Sequence, residues 1–197
     1  MIPDILPVRL EVAGVVLEPL VEQHRDALRA AGADPAVWAH MPIRAYGEGF
    51  DGWFDHALQM NATGQEAVFT VRLGAAGEPI GSTRYMALAP AHFRAEIGST
   101  WYAPSVWGGV VNPACKFALL RHAFESLGLN RVELKTDNRN LHSQAAIAKL
   151  GAQREGVFRQ HMLRPDGSFR DTVYFALIAS DWPAAKAKLA TRLKLSN

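Results

Sequence analysis

The stretch that most limits how this chain can fold lies at its middle. "RAEIGSTWYA" (Arg94–Ala103) reads as a strand, "WGGVVNPACKFALLRHAFESLG" (107–128) as a turn and a helix, and "NRVELKTD" (Asn130–Asp137) as a second strand with alternating apolar and polar residues. Strand, helix and strand in succession predict a crossover that lays two strands parallel in one sheet. A further helix, "NRNLHSQAAIAKLG" (138–151), and a hairpin around Pro165-Asp166-Gly167 follow, and an amphipathic helix closes the chain. Upstream, "VRLEVAGVVLEPL" (Val8–Leu20) reads as a strand or hairpin and Val21–Gly32 as a helix with a glycine stop. A short helix opens at Asp34-Pro35, and another puts Phe50, Trp53, Phe54, Ala57 and Leu58 on one face. Ala67–Gly74 and Pro79–Leu88 form an antiparallel hairpin. The flanking hairpins make the sheet mixed, and the expected class is α+β or α/β with a single sheet.

Composition narrows the function. With 197 residues, 49% apolar and 20% charged, and no linker, one domain over 1–197 is expected. A formal charge of +2 and scattered basic residues argue against a nucleic-acid partner. Cys115, alone, excludes an internal disulfide framework and fits a reducing compartment. No apolar run is long enough to cross a bilayer. "MIPDILPVRLEV" has an early acid, two prolines and no basic region, so no signal peptide is expected. A cytoplasmic protein without a membrane partner is the resulting expectation. The seven histidines show no H-x-x-x-H or Cys/His cluster, and no metal site is expected.

The 107–116 turn resembles an anion cradle. Gly108 and Gly109 allow close backbone approach, Asn112 suits an N-cap, Pro113 suits the first helical position, and Lys116 adds positive charge about one turn in. The helix mouth favours an anion. A plain strand-to-helix joint has the same outline, and the stretch alone leaves both open. A P-loop and a dinucleotide fingerprint are absent.

"AEIGSTWYAPSVWGG", the long helix and "LNRVELKTDNRNLHSQAAIAKLGAQREGVFRQHMLRPDGSFRDTVYFAL" together resemble GNAT N-acetyltransferases, in the branch of the ribosomal-protein N-terminal acetyltransferases. The resemblance covers roughly residues 8 to 182 and is most specific at Asn138 to Gly156. It implies an α/β (α+β) fold with a mixed, mostly antiparallel twisted sheet, a central pair of splayed parallel strands and helices on both faces. It implies acetyl-CoA as cosubstrate, an amine acceptor, no metal, and a monomer or homodimer.

The residue roles that follow are also implied by the resemblance. The pyrophosphate lies on Trp107, Gly108, Gly109, Val110, Val111 and Asn112, with Lys116 near. The pantetheine runs along the strand ending at Trp101 and Tyr102 and meets Asn140. Ser143 lies by the sulfur as a general acid. The family turn usually has Q/R-x-x-G-x-G/A; here Trp107, Val110 and Asn112 replace the long polar residue, the first glycine and the last small residue. Ribosomal members carry a Glu about where Met162 lies, so the base falls to Glu96 or to its alternative His161, whose side chain needs a bulge to face the site. Val110 and Met162 keep a non-catalytic acyl-CoA binder or sensor as the alternative. Asp171 and Arg170 read as acceptor-pocket residues or, with slightly more weight, an edge salt bridge. His122 and His142 read as surface, and Cys115 as a buried small hydrophobe. Trp38, Met41, Trp53 and Phe54 read as core, some of them lining the acceptor site.

Overall fold

The computed structural model describes residues 4–195; the first three residues of the N-terminal stretch and the last two of the chain lie outside them. Its strands are β1 (Leu10–Val12), β2 (Val15–Pro19), β3 (Ala67–Leu73), β4 (Pro79–Ala89), β5 (Arg94–Tyr102), β6 (Arg131–Asp137), β7 (Gln153–Leu163) and β8 (Phe169–Ile178). They form one mixed sheet in the order β1-β2-β3-β4-β5-β6-β8-β7. Every adjacent pair is antiparallel except β5 and β6. The expected parallel crossover is therefore present once. The second crossover leads from β6 to β7, yet β8 folds back between them, because the Pro165-Asp166-Gly167 turn makes β7 and β8 a hairpin that docks by its second strand.

The helices are α1 (Arg25–Ala31), α2 (Gly49–Ala62), α3 (Val111–Arg121), α4 (Leu141–Lys149) and α5 (Trp182–Leu193). Strand alternation sorts the sheet into two faces. On one, Ala95, Ile97, Val132, Leu134, Val173 and Phe175 join the apolar sides of α3, α4 and α5 in a single core. Tyr85 crosses this core, and its hydroxyl donates to the Leu119 carbonyl just before α3 loosens into a π turn at His122–Ser126. On the other face, α2 lays down Phe50, Trp53, Phe54 and Ala57, the stripe read from its spacing. They pack with Trp38, Val68 and Trp101. Full burial of each large side chain contributes about 2 kcal/mol.

This second cover stops at β5. Beyond it, the same face of β6 and β8 carries Glu133, Lys135 and Asp137, then Arg170, Thr172 and Tyr174. α1 and α2 thus roof one half of the face and leave a wall of charged and polar side chains beside it.

β5 and β6 share only three register pairs, Arg94↔Arg131, Ala95↔Val132 and Glu96↔Glu133. β5 then stays with β4, and β6 with β8, as far as Tyr102↔Gly81 and Asp137↔Thr172. The departure coincides with a bulge: Ser99 sits at φ 47 and the β4–β5 register shifts between Ser82 and Arg84. A bulge bends its strand and increases the twist. The result is the splay anticipated for this strand pair.

Candidate functional site

The fork between β5 and β6 ends at the first turn of α3. The helix begins at Val111 with Val110 as its cap residue, so Asn112 is not the N-cap and Pro113 is the third helical residue. Proline is tolerated there because the first-turn N–H groups have no intrahelical partner anyway. Val110 has ordinary helical dihedrals (φ −74), and Gly108 supplies the positive φ (74) that the turn needs. Val111 and Asn112 present first-turn N–H groups to an exposed turn. The Trp107 indole donates to the Tyr102 carbonyl at 2.8 Å and ties the turn to the end of β5.

Lys116 departs from expectation. As the sixth helical residue it lies under the helix, 7% exposed, and its ammonium donates to Thr100 Oγ1 at 2.9 Å. Burial pushes its pKa down to about 8. It offers no open charge at the helix mouth. Cys115 beside it is fully buried, its thiol pushed up to about 12 chiefly by burial. The Tyr102 hydroxyl reaches this thiol and the Asn112 Oδ1 at 3.4 Å. The Trp101 side chain points to the opposite face, 5.1 Å from Trp38 and 5.4 Å from Trp53 between ring centroids, so only its main chain borders the fork.

At the last paired rung stands Glu96, 2% exposed, with Lys135 Nζ 2.8 Å from its Oε2. Burial raises its pKa above the ordinary carboxylate value, a rise that Lys135 only partly offsets. Gly98 makes room for it: a Cβ there would lie 2.7 Å from Glu96 Oε1 and 2.6 Å from Met86 Sδ. Lys135 Nζ lies 5.9 Å from the centre of the Tyr174 ring, which lies 5.8 Å from the His161 ring. The β7–β8 register shifts between Phe158 and Met162, with Gln160 at φ 49. That bulge turns His161 toward Thr172, with Nδ1 and Oγ1 3.2 Å apart. Partial burial of the ring, with the charges of Lys135 and Arg170, holds the His161 pKa below the ordinary value. Glu96 and His161 are therefore linked through Lys135 and Tyr174 on one face of the sheet.

On the far side of the fork, Asn140 caps α4, its Oδ1 accepting the Ser143 N–H at 2.9 Å. Ser143 thus sits in the first turn after β6 ends. Asp137, at that end, is held by Arg164 through contacts of 2.7 and 2.9 Å. Although burial alone would raise its pKa, Arg164 and the Arg139 N–H hold it below the ordinary value.

A cleft of about 350 Å³ opens between the 35–46 segment and the β7–β8 turn. Trp38, Met41, Arg44, Asp137, Arg164 and Arg170 line it. Trp53 and Phe54 are core. Among the described residues Arg170 forms no salt bridge, and Asp171 accepts the Gln160 N–H at 2.8 Å. His122 is half-buried rather than a surface residue. Lys135 and Tyr174 were not singled out from the sequence. The signal was there: in "NRVELKTD" the apolar residues share one face, so Glu133, Lys135 and Asp137 must share the other.

The profile of the acetyltransferase (GNAT) domain matches residues 15–153. The chain belongs to the GNAT acetyltransferase family. Among GNAT structures, a GCN5-related N-acetyltransferase from Brucella melitensis is 30% identical and superposes with a TM-score of 0.88, covering 97% of this chain and 87% of that one. YdaF of Bacillus subtilis (strain 168), provisionally named a ribosomal N-acetyltransferase, is 36% identical over 94 residues, 47% of this chain and 50% of YdaF. The match thus spans half the length of that curated GNAT relative. The FsC-acetyl coenzyme A-N(2)-transacetylase of Aspergillus fumigatus is 28% identical over 199 residues, 93% of this chain and 81% of the relative.

Proposed function

We propose that this GNAT protein transfers an acetyl group from acetyl-CoA directly to a primary amine. The observation that carries the reading is the fork: after Glu96 the inner edge of β5 is unpaired toward β6, and it leads to the free first-turn N–H groups of α3. An open strand edge suits an amide-bearing arm lying along it, and a helix mouth suits a diphosphate. The name of the A. fumigatus relative supports acetyl-CoA as the donor. The same fit assigns the main chain at Trp101 and Tyr102 to the arm, and Trp107 to Asn112 to the diphosphate.

Acetyl-CoA supplies an activated acyl carbon. The acceptor nitrogen bonds to that carbon as the C–S bond breaks, and the electron pair leaves on sulfur. Glu96 receives the ammonium proton, directly or through water, and its raised pKa makes it a better base than an ordinary carboxylate. Lys135 holds the carboxylate in place. His161, on the same face of the sheet, is the second candidate base. Ser143, its backbone position fixed by the Asn140 cap, passes a proton to sulfur and regains one from water, while Glu96 releases the proton it took to solvent. The binder-only alternative loses one of its two grounds, because Val110 needs no unusual dihedral.

The test follows free thiol after mixing the protein with acetyl-CoA and pooled amines, beside the melting temperature with CoA. Thiol release that depends on the amine, and a Tm rise with CoA, are expected. E96Q lowers kcat about 100-fold or more and flattens the alkaline-rising limb of the pH profile, without abolishing the CoA-induced Tm rise. CoA binding with no thiol release on any amine leaves a binder only.

A further inference from the structure

We infer that the acceptor amine carries a carboxylate, which the Arg170 guanidinium receives in the cleft between the 35–46 segment and the β7–β8 turn. The inference rests on the acetyltransferase reading and narrows its acceptor.

Arg170 is 6% exposed and lines that cleft. Among the described residues it makes no ion pair, and its buried Nε has no acceptor. An unpaired buried guanidinium is costly, so its place asks for an anion. The neighbouring carboxylates are already committed. Asp137 is held by Arg164 and by the Arg139 N–H. Asp166 accepts from the Ser168 N–H and hydroxyl, and Glu96 is held by Lys135. Met162, opposite Arg170 in register, brings no charge.

The cleft wall carries Arg44, Arg164 and Arg170 against Asp137 and Asp166, which suits a monoanion better than a phosphate dianion. A planar guanidinium fork matches a carboxylate in two parallel hydrogen bonds. Trp38 and Met41 give the same cleft an apolar side for a short stem. Arg170, Thr172 and Tyr174 share one face of β8, and Thr172 Oγ1 lies 3.2 Å from His161 Nδ1, so an acceptor held by Arg170 spans that face toward the candidate bases. That span suits a free amino acid through its own carboxylate, or a peptide with an acidic side chain close behind its N-terminal amine.

The experiment compares kcat/KM on three sets: free amino acids, short peptides with Asp or Glu at the second position, and the same molecules with each carboxylate replaced by a carboxamide. One of the first two sets is expected to exceed its carboxamides at least about 30-fold, mainly through KM, and the favoured set names the source of the carboxylate. R170Q cuts kcat/KM on the carboxylates at least about 10-fold more than on their carboxamides and leaves the CoA-induced Tm rise unchanged; R170K keeps part of the preference. Equal use of carboxylates and carboxamides, or an equal loss on both in R170Q, overturns the inference and leaves the acetyltransferase reading standing. Binding gives a second readout. N-acetylated forms of the favoured set raise the Tm of the unaltered protein but not of R170Q; a rise in neither sinks the inference even if no acceptor turns over. Failure of every amine to release thiol sinks the acetyltransferase reading itself.

Discussion

At the scale of single residues, Lys116 carries the sharpest pH consequence. Its folded-state pKa is pushed down to about 8, below that of an exposed lysine. The folded protein therefore binds fewer protons than the unfolded chain between about pH 8 and pH 10.5, and stability attributable to this group rises with pH across that window. The penalty is fully present below pH 8, where it amounts to about 3 kcal/mol. K116M should melt higher than the parent at pH 7, and the difference should shrink toward pH 10.5. The thiol of Cys115 interacts with Lys116 and titrates with the opposite sign above about pH 9, so the shrinkage is read between pH 7 and pH 9, where the thiol stays protonated. Thr100 keeps a partner in Thr83 at 2.7 Å after the change. A difference in melting temperature that stays constant with pH would contradict the buried ammonium. From the sequence, Lys116 had read as a charge at the helix mouth, since a lysine near a glycine-rich turn resembles an anion ligand. Its burial depends on where the helix starts, and Val110 rather than Asn112 decides that.

Among the elements, the helices and strands were legible because their periodicities were clean, and the bends between them were not. The α2 stripe and the alternation of β6 could be counted from the sequence. The fork could not be counted that way and was anticipated only through the family resemblance, because it turns on Ser99, a non-glycine residue at positive φ whose conformation nothing local announces. The bulge that aims His161 turns on Gln160 in the same way. The turn before α3 combines both situations: two glycines mark it, but only Gly108 has positive φ. A Cβ on Gly108 would meet no atom within 4 Å, so G108A acts through backbone strain alone, about 1 kcal/mol. It should weaken CoA binding several-fold and lower the melting temperature by roughly 2–4 °C. V110G, at a residue already in helical dihedrals, should not tighten CoA binding. An unchanged dissociation constant in G108A would remove the turn from the cofactor site.

For the whole molecule, the family and the mixed sheet were readable from the motifs of the second half together with the order of elements; Trp38, Met41 and Arg170 were named one by one, but the cleft in which they meet was not. It joins the 35–46 segment to β8, more than a hundred residues away in the chain. No helix among the described residues is long and apolar enough to cross a membrane. The sheet, continuous in outline, is stitched at its centre by just three residue pairs. Strands one to five and the trio six, eight and seven are thus two leaves sharing a short spine, braced from behind by the packing of α3 against α5. A ligand stretched between the leaves would act as binding thread as well as reagent. Amide exchange should report this: backbone protons at 97–102 and 134–137 should exchange faster than those of β3 and β4 in the free protein, and slow most when CoA is added.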